Sequence, residues 1–211
     1  MSRRQELRDD VEQLSASLAR AHAAREVGLA ACRKVIRSSG SSIRAVHRFD
    51  RAEAEALASA AETALREAQT ALAPFPAVAY AGFLGDAERE YAEARLTAAL
   101  LVDDPLPTAD ELGVAPTSWM KGLAEAASEL RRHLLDLLRA GELDRGEDLL
   151  EVMDDVYDAL VVVDFPDAIT GGLRRSLDAL RAVLERTRGD VTTTVLQTRL
   201  RESIDRSMPD P

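Results

Sequence analysis

An all-α, antiparallel helical bundle is the fold class the sequence predicts, and three observations carry it. Ala, Leu, Arg and Glu dominate the chain, and all four favour helices. Strand-type runs are almost absent, the nearest being Val161-Val162-Val163 and Val191-Thr192-Thr193-Thr194-Val195. Hydrophobic residues make up 46% of 211 positions while only 11 are Gly and 8 are Pro, so a sizeable core can be built from long helices joined by short loops. The expectation is one domain of about seven helices over residues 1–190. A tail over 191–211, partly helical or disordered, follows it.

The elements follow in order. A first helix runs from about Arg4 to Arg48, with Leu14, Leu18, Ala21, Arg25 and Gly28 at helical spacing and a kink expected at Ser38-Ser39-Gly40-Ser41-Ser42. A second runs from Asp50 to Leu72; Asp50 with Glu53 three residues on reads as a capping box. Pro74-Phe75-Pro76 breaks the chain. A third helix is expected from Ala77 to Leu101, ending before the loop Asp103-Asp104-Pro105-Leu106-Pro107. Thr108 to Leu112 is a short helical turn closed by Gly113 and Pro116. Longer helices follow over Thr117–Ala140, Arg145–Val163 and Ala168–Arg188, stopped by Gly141, Phe165-Pro166 and Gly189 respectively.

Composition also limits function. A single cysteine, Cys32, excludes an intrachain disulfide and agrees with a reducing, cytoplasmic setting. The polar start Met1-Ser2-Arg3-Arg4-Gln5-Glu6 does not read as a signal peptide. No apolar run approaches the roughly 20 residues of a membrane span. The net charge of −10 argues against nucleic-acid binding through bulk charge, so any such contact needs a local basic strip. Gly-rich phosphate loops, nucleophile motifs, dinucleotide fingerprints and Glu-x-x-His pairs are all missing.

Acidic residues gather on three expected helices. Glu90 and Glu93, in Glu90-Tyr91-Ala92-Glu93-Ala94, are three apart and share a helix face. Two carboxylates so placed repel unless a positive group sits between them, and a hard divalent cation such as Mg²⁺ takes oxygen ligands of this kind. The bland reading is two glutamates on a solvated face of a highly charged protein. Glu125 and Glu129 form a second cluster, and Glu151, Asp154, Asp155 and Asp158 a third. Asp158 lies among Val156, Leu160 and Val161-Val162-Val163, so its face is expected to border the core, where a carboxylate needs a partner.

A basic strip stands apart. Arg33, Arg37, Arg44 and Arg48 recur at steps of four, seven and four, with His47, Lys34 and Arg51 beside them. Asp50 is the one acid between Arg33 and Arg51. The strip suits phosphate contacts; pairing with the acidic helices is the structural alternative.

The order of these segments resembles the translin family, and within it the Trax branch. The resemblance rests on Arg25-Glu26-Val27, Cys32-Arg33-Lys34-Val35-Ile36-Arg37, Ile43-Arg44-Ala45-Val46-His47-Arg48 and Glu90-Tyr91-Ala92-Glu93-Ala94. It continues through Gly122-Leu123, Ser128-Glu129-Leu130-Arg131-Arg132, Val156-Tyr157-Asp158 and Arg188-Gly189. The resemblance implies an all-helical chain assembling into a closed homo-oligomer, an octamer, around a chamber. It implies Mg²⁺-dependent endoribonuclease activity on single-stranded RNA, with Mn²⁺ as a substitute and single-stranded DNA as a further ligand. Glu90, Glu93 and Asp158 would be the catalytic, metal-holding acids, with Glu129 in support. Arg33, Arg37, Arg44, His47 and Arg48 would position the nucleic-acid backbone. The alternative is a non-catalytic oligomer that binds single-stranded RNA or DNA.

Overall fold

The computed structural model describes residues 2–207. Within them the chain is all-helical: α1 (Arg3–His47), α2 (Arg51–Leu72), α3 (Pro76–Ala79), α4 (Phe83–Leu101), α5 (Ala109–Leu112), α6 (Pro116–Ala140), α7 (Leu143–Val161), α8 (Asp167–Thr170) and α9 (Leu173–Ser207). Six are long, and three are single turns.

The first hairpin is built from small residues. Ala54, Ala58, Ala61, Ala64 and Ala68 of α2 are buried against a face of α1 that includes Gly28, Ala31, Val35, Ser39 and Ser42. The helix continues through Ser38–Ser42, where the kink was expected. Ser39 and Ser42 are buried, and Ser42 Oγ donates to the Ala54 carbonyl at 2.8 Å. The reversal is tight: Phe49 takes φ +59° and the Asp50 amide donates to the Ala45 carbonyl. Half of the expected capping box forms, with Asp50 accepting from the Glu53 amide. The Glu53 side chain pairs with Arg48 instead. The complete box occurs at α5, where Thr108 and Glu111 cap each other reciprocally.

Helix α4 is the centre. It packs on α1, α2 and α6, and α6 in turn packs on α7 and α9. The core runs through Val35, Leu65, Tyr91, Leu96, Leu130, Leu134, Met153, Leu180 and Leu184. The helix expected over Ala77–Leu101 is divided: Pro76 starts a separate turn, and Gly82 at φ +103° redirects the chain into α4. A glycine is suited to that angle because a Cβ would be strained there. The helix expected over Ala168–Arg188 is also divided, by Gly171 and Gly172 at positive φ. Gly189 does not end α9. The helix passes through it to Ser207, held on one side by buried Thr187 and Val191, which outweighs the roughly 1 kcal/mol cost of an interior glycine. Of the tail expected over 191–211 as partly helical or disordered, 191–207 is helical and 208–211 lie outside the described residues. No described helix is long and apolar enough to cross a membrane.

Gly122 sets the spacing between α4 and α6. A Cβ there would stand 2.9 Å from the Arg89 carbonyl oxygen, the Glu93 amide nitrogen and the Ala92 Cβ. Two of these are backbone atoms, so a methyl group would force the helices apart. Gly122→Ala should therefore cost about 1–3 kcal/mol of stability, as overpacking does; urea denaturation measures this.

Candidate metal and nucleic-acid site

The close approach at Gly122 brings one face of α4 beside α6, and the last turns of α1 cover it. Between the three helices lies an open recess of about 500 Å³. Gly40, Ile43, Arg44 and His47 of α1 line it, with Arg89, Glu90 and Glu93 of α4 and Glu125, Glu129 and Arg132 of α6. Four glutamates thus face three arginines and a histidine.

Glu90 and Glu93 share a face because they are three apart on α4. The Glu93 side chain is only 12% exposed. Burial pushes its carboxyl up to about 7, Glu90 and Glu129 push the same way, and Arg89 opposes them. The positive group between these acids is Arg89. Its Nη2 lies 2.7 Å from Glu90 Oε1, its Nη1 lies 3.9 Å from Glu93 Oε2, and Nη1 also pairs with Glu125 Oε2. Glu129 behaves oppositely to Glu93. Its Oε2 is 2.8 Å from Nε2 of His47, a side chain only 3% exposed, and that hydrogen bond holds the Glu129 carboxyl below its usual range.

Asp158 lies elsewhere. It is exposed on α7 and absent from the recess lining. The expectation that its face borders the core is corrected by the helix geometry. Met153, Val156 and Leu160 take the inward side of α7, and a residue two positions from Val156 and Leu160 points roughly the other way. In the same cluster Asp154 accepts a two-pronged ion pair from Arg188 at 2.7 and 2.9 Å, while Glu151 and Asp155 are exposed.

The basic strip divides as well. Arg48 pairs with Glu53 and donates to the Arg44 carbonyl, and it lies outside the recess lining. Arg33, Arg37 and Arg44 are exposed and make no ion pair among the described residues. Among the described residues the Arg44 guanidinium donates only to Ser41 Oγ. Arg33, Arg37, Gly40, Arg44 and His47 recur at steps of four, three, four and three, one face of α1. The arginine face therefore leads out of the recess for about 16 Å, taking 1.5 Å per residue from Arg33 to Arg44.

Arg89, Glu125 and Arg132 escaped the sequence reading as site residues. A signal was present for Arg89, which stands one residue before Glu90 and four before Glu93, the spacing of a helix ion pair. The donor chemistry suits a hard divalent ion: two carboxylates on one face, one of them poorly stabilised as an anion. No three acidic or histidine side chains converge at metal-ligand distances among the described residues. Mg²⁺ is commonly held by one or two carboxylates together with substrate phosphates and waters.

The Glu93 environment has a consequence for stability. A carboxyl raised from 4.5 to about 7 in the folded chain takes up its proton more readily there than when unfolded. Its contribution is complete below about pH 4.5 and is lost as pH rises through about 7. Glu93→Gln should thus gain on the wild type between pH 5 and pH 8, with urea midpoints at the two pH values as the measure.

No protein-family model matches the chain. It is 28% identical over 94% of its length to an uncharacterised protein of Methanocaldococcus jannaschii, of which 88% is covered. Among solved structures, it is similar to AfC3PO in complex with duplex RNA at 31% identity and TM-score 0.75, covering 93% of this chain and 98% of the other. A crystal structure of AfC3PO matches at 30% identity and TM-score 0.74 over the same shares. Apo-NeC3PO, at 17% identity and TM-score 0.78 over 87% and 96% of the two chains, shares the fold. With nearly a third of positions identical across almost the whole of both chains, the protein belongs to the translin/Trax (C3PO) family.

Proposed function

We propose that the protein is a metal-dependent endoribonuclease, with Glu90 and Glu93 holding Mg²⁺ or Mn²⁺ and the α1 arginine face guiding the RNA backbone. The observation that carries this reading is a closely spaced carboxylate pair, with Glu93 largely buried, in a recess from which an arginine face leads out that makes no ion pair among the described residues. The duplex RNA bound by AfC3PO supports RNA as the ligand class. Both strand forms belong in the assay, because single strands reach a recess of this size most easily.

A bound divalent ion would activate water and offset charge on the phosphate. The chain's own groups do the rest. Arg44 and Arg132, at the edge of the recess, hold phosphate oxygens. Arg33 and Arg37 continue the contact along α1, which positions a strand without reading its bases. His47 fixes Glu129, another of the four recess glutamates, and Asp158, exposed on α7, stands outside the recess lining. Metal binding requires deprotonated Glu93, so metal affinity rises as pH passes through about 7.

A non-catalytic RNA-binding oligomer is the second reading. Arg89 favours it, since its guanidinium already neutralises the carboxylates. Cleavage of labelled single-stranded and duplex RNA, with Mg²⁺ or with EDTA, separates the two. Glu90→Gln combined with Glu93→Gln should lower Mg²⁺-dependent cleavage by more than roughly a hundredfold, beyond the usual cost of losing an outer-shell partner, while RNA binding persists. Undiminished cleavage by that variant would overturn the metal assignment, and binding without cleavage by the wild type would establish the second reading. Arg37→Ala with Arg44→Ala should weaken binding of all sequences and lower the salt slope by about one per lost phosphate contact.

We further propose a homo-oligomer, with an octamer as the expected size. Leu7, Val11, Leu14 and Leu18 form an apolar stripe on the part of α1 that extends beyond the bundle, each at least 59% exposed. Leu196, Leu200 and Ile204 form another on α9. A second copy would cover such stripes. Leu14→Glu with Leu18→Glu should lower the mass found by light scattering; an unchanged mass would remove this stripe from the interface.

A further inference from the structure

We propose that Arg89 is a built-in competitor for the metal: its guanidinium occupies the cation position between Glu90 and Glu93, and metal binds only when it withdraws toward Glu125. The inference rests on the reading of Glu90 and Glu93 as the metal-holding pair.

The geometry assigns this role to Arg89 alone. Of the three arginines that line the recess, it is the one paired with Glu90 and Glu93, and a third carboxylate, Glu125, reaches it from the neighbouring helix. Arg132 and Arg44 pair with neither. The arrangement is partly buried, with the Arg89 side chain 20% exposed and Glu93 12%. A planar guanidinium can satisfy several carboxylate oxygens at once. A divalent ion needs those same oxygens. Two cations within about 4 Å of one another repel strongly in a partly buried site, so the two occupancies exclude each other. Glu125 stands on α6 while Glu90 and Glu93 stand on α4, so the guanidinium can keep one partner when it gives up the other two.

The consequence is a metal affinity held below that of the bare carboxylates. Apparent affinity falls by the fraction of time the competent state is populated. If Arg89 is seated for 90–99% of that time, the loss is roughly 10- to 100-fold. The phosphate backbone offers the displaced guanidinium a second anionic partner, which would couple metal loading to the presence of RNA.

The test is binding of Mn²⁺ alone to the full chain, followed by calorimetry and by the electron paramagnetic resonance signal of the free ion. Arg89→Gln should bind Mn²⁺ roughly tenfold or more tightly than wild type. Arg44→Gln removes the same charge from the recess without vacating the carboxylates, and should change the dissociation constant less than about threefold. Unchanged affinity in Arg89→Gln overturns the proposal. So does an equal gain in Arg44→Gln, which would mark a general field effect. Circular dichroism checks folding. Should Arg89→Gln fail to fold, Arg89→Lys keeps the charge but loses the planar fork, and a gain of a few fold is expected; no gain overturns the proposal. Mn²⁺ binding that survives in Glu93→Gln at wild-type strength, or is absent from wild type and Arg89→Gln alike, would instead defeat the metal reading on which the proposal rests.

Discussion

The contact of α4 with α6 at Gly122 is the constraint on which the recess depends. Helices with ordinary side chains at their crossing lie 8–10 Å apart, depending on those side chains. Here a glycine lies under the Arg89–Glu93 backbone at distances no Cβ tolerates. That closeness brings Glu125 and Glu129 within reach of the α4 face, and it limits the water around Glu93. In the first hairpin the buried alanines of α2 pack on α1, and Gly28 leaves room for the Leu72 side chain. A chain with only 4% aromatic residues obtains its core by bringing backbones close together more than by filling space with large side chains.

Close packing has an electrostatic effect on the site. Carboxylates carried on closely spaced helices lose water before they gain partners, and each then depends on the partner it finds. Glu129 finds His47, and its carboxyl is held low. Glu93 finds mainly other acids, and its carboxyl rises to about 7. Glu88 shows the satisfied structural case: buried on the same helix, it accepts from Gln69 and from the Ala115 amide. Glu93 and Glu129 therefore depart from the ordinary carboxylate in opposite directions, decided by burial and by whether donors or acids surround them. Poorly compensated acids mark candidate sites better than acidity does.

What the sequence made legible follows from the range of each interaction. Spacings of three and four residues act within one helix, so the Glu90/Glu93 face and the face of Arg33, Arg37 and Arg44 were readable without a structure. Whether α7 turned Asp158 inward was not, because an apolar neighbourhood gives no direction; Met153, Val156 and Leu160 together define the buried side. Breakers were ambiguous for a related reason. Gly82, Gly171 and Gly172 interrupt helices through positive φ, whereas Gly189 and the serines at 38–42 are absorbed by them. The difference lies in tertiary packing: the absorbed residues stand beside positions already anchored on another helix. The convergence of Glu125 and Glu129 with Glu90 and Glu93 depends on a crossing between helices, and no local pattern reports one.

The net charge of −10 does not contradict a phosphate-binding role. Charges on the exposed surface are screened over about 8 Å at physiological salt, so a phosphate near α1 responds chiefly to the groups within that distance. Along Arg33, Lys34, Arg37 and Arg44 these are positive, and Arg33, Arg37 and Arg44 have no carboxylate partner among the described residues. Acids that would oppose them are engaged elsewhere: Glu53 and Glu125 in ion pairs with Arg48 and Arg89, and Glu129 in a hydrogen bond with His47. Internal ion pairs thus do two things at once. They neutralise acids that would repel a nucleic acid, and they leave one run of arginines with positive charge for it.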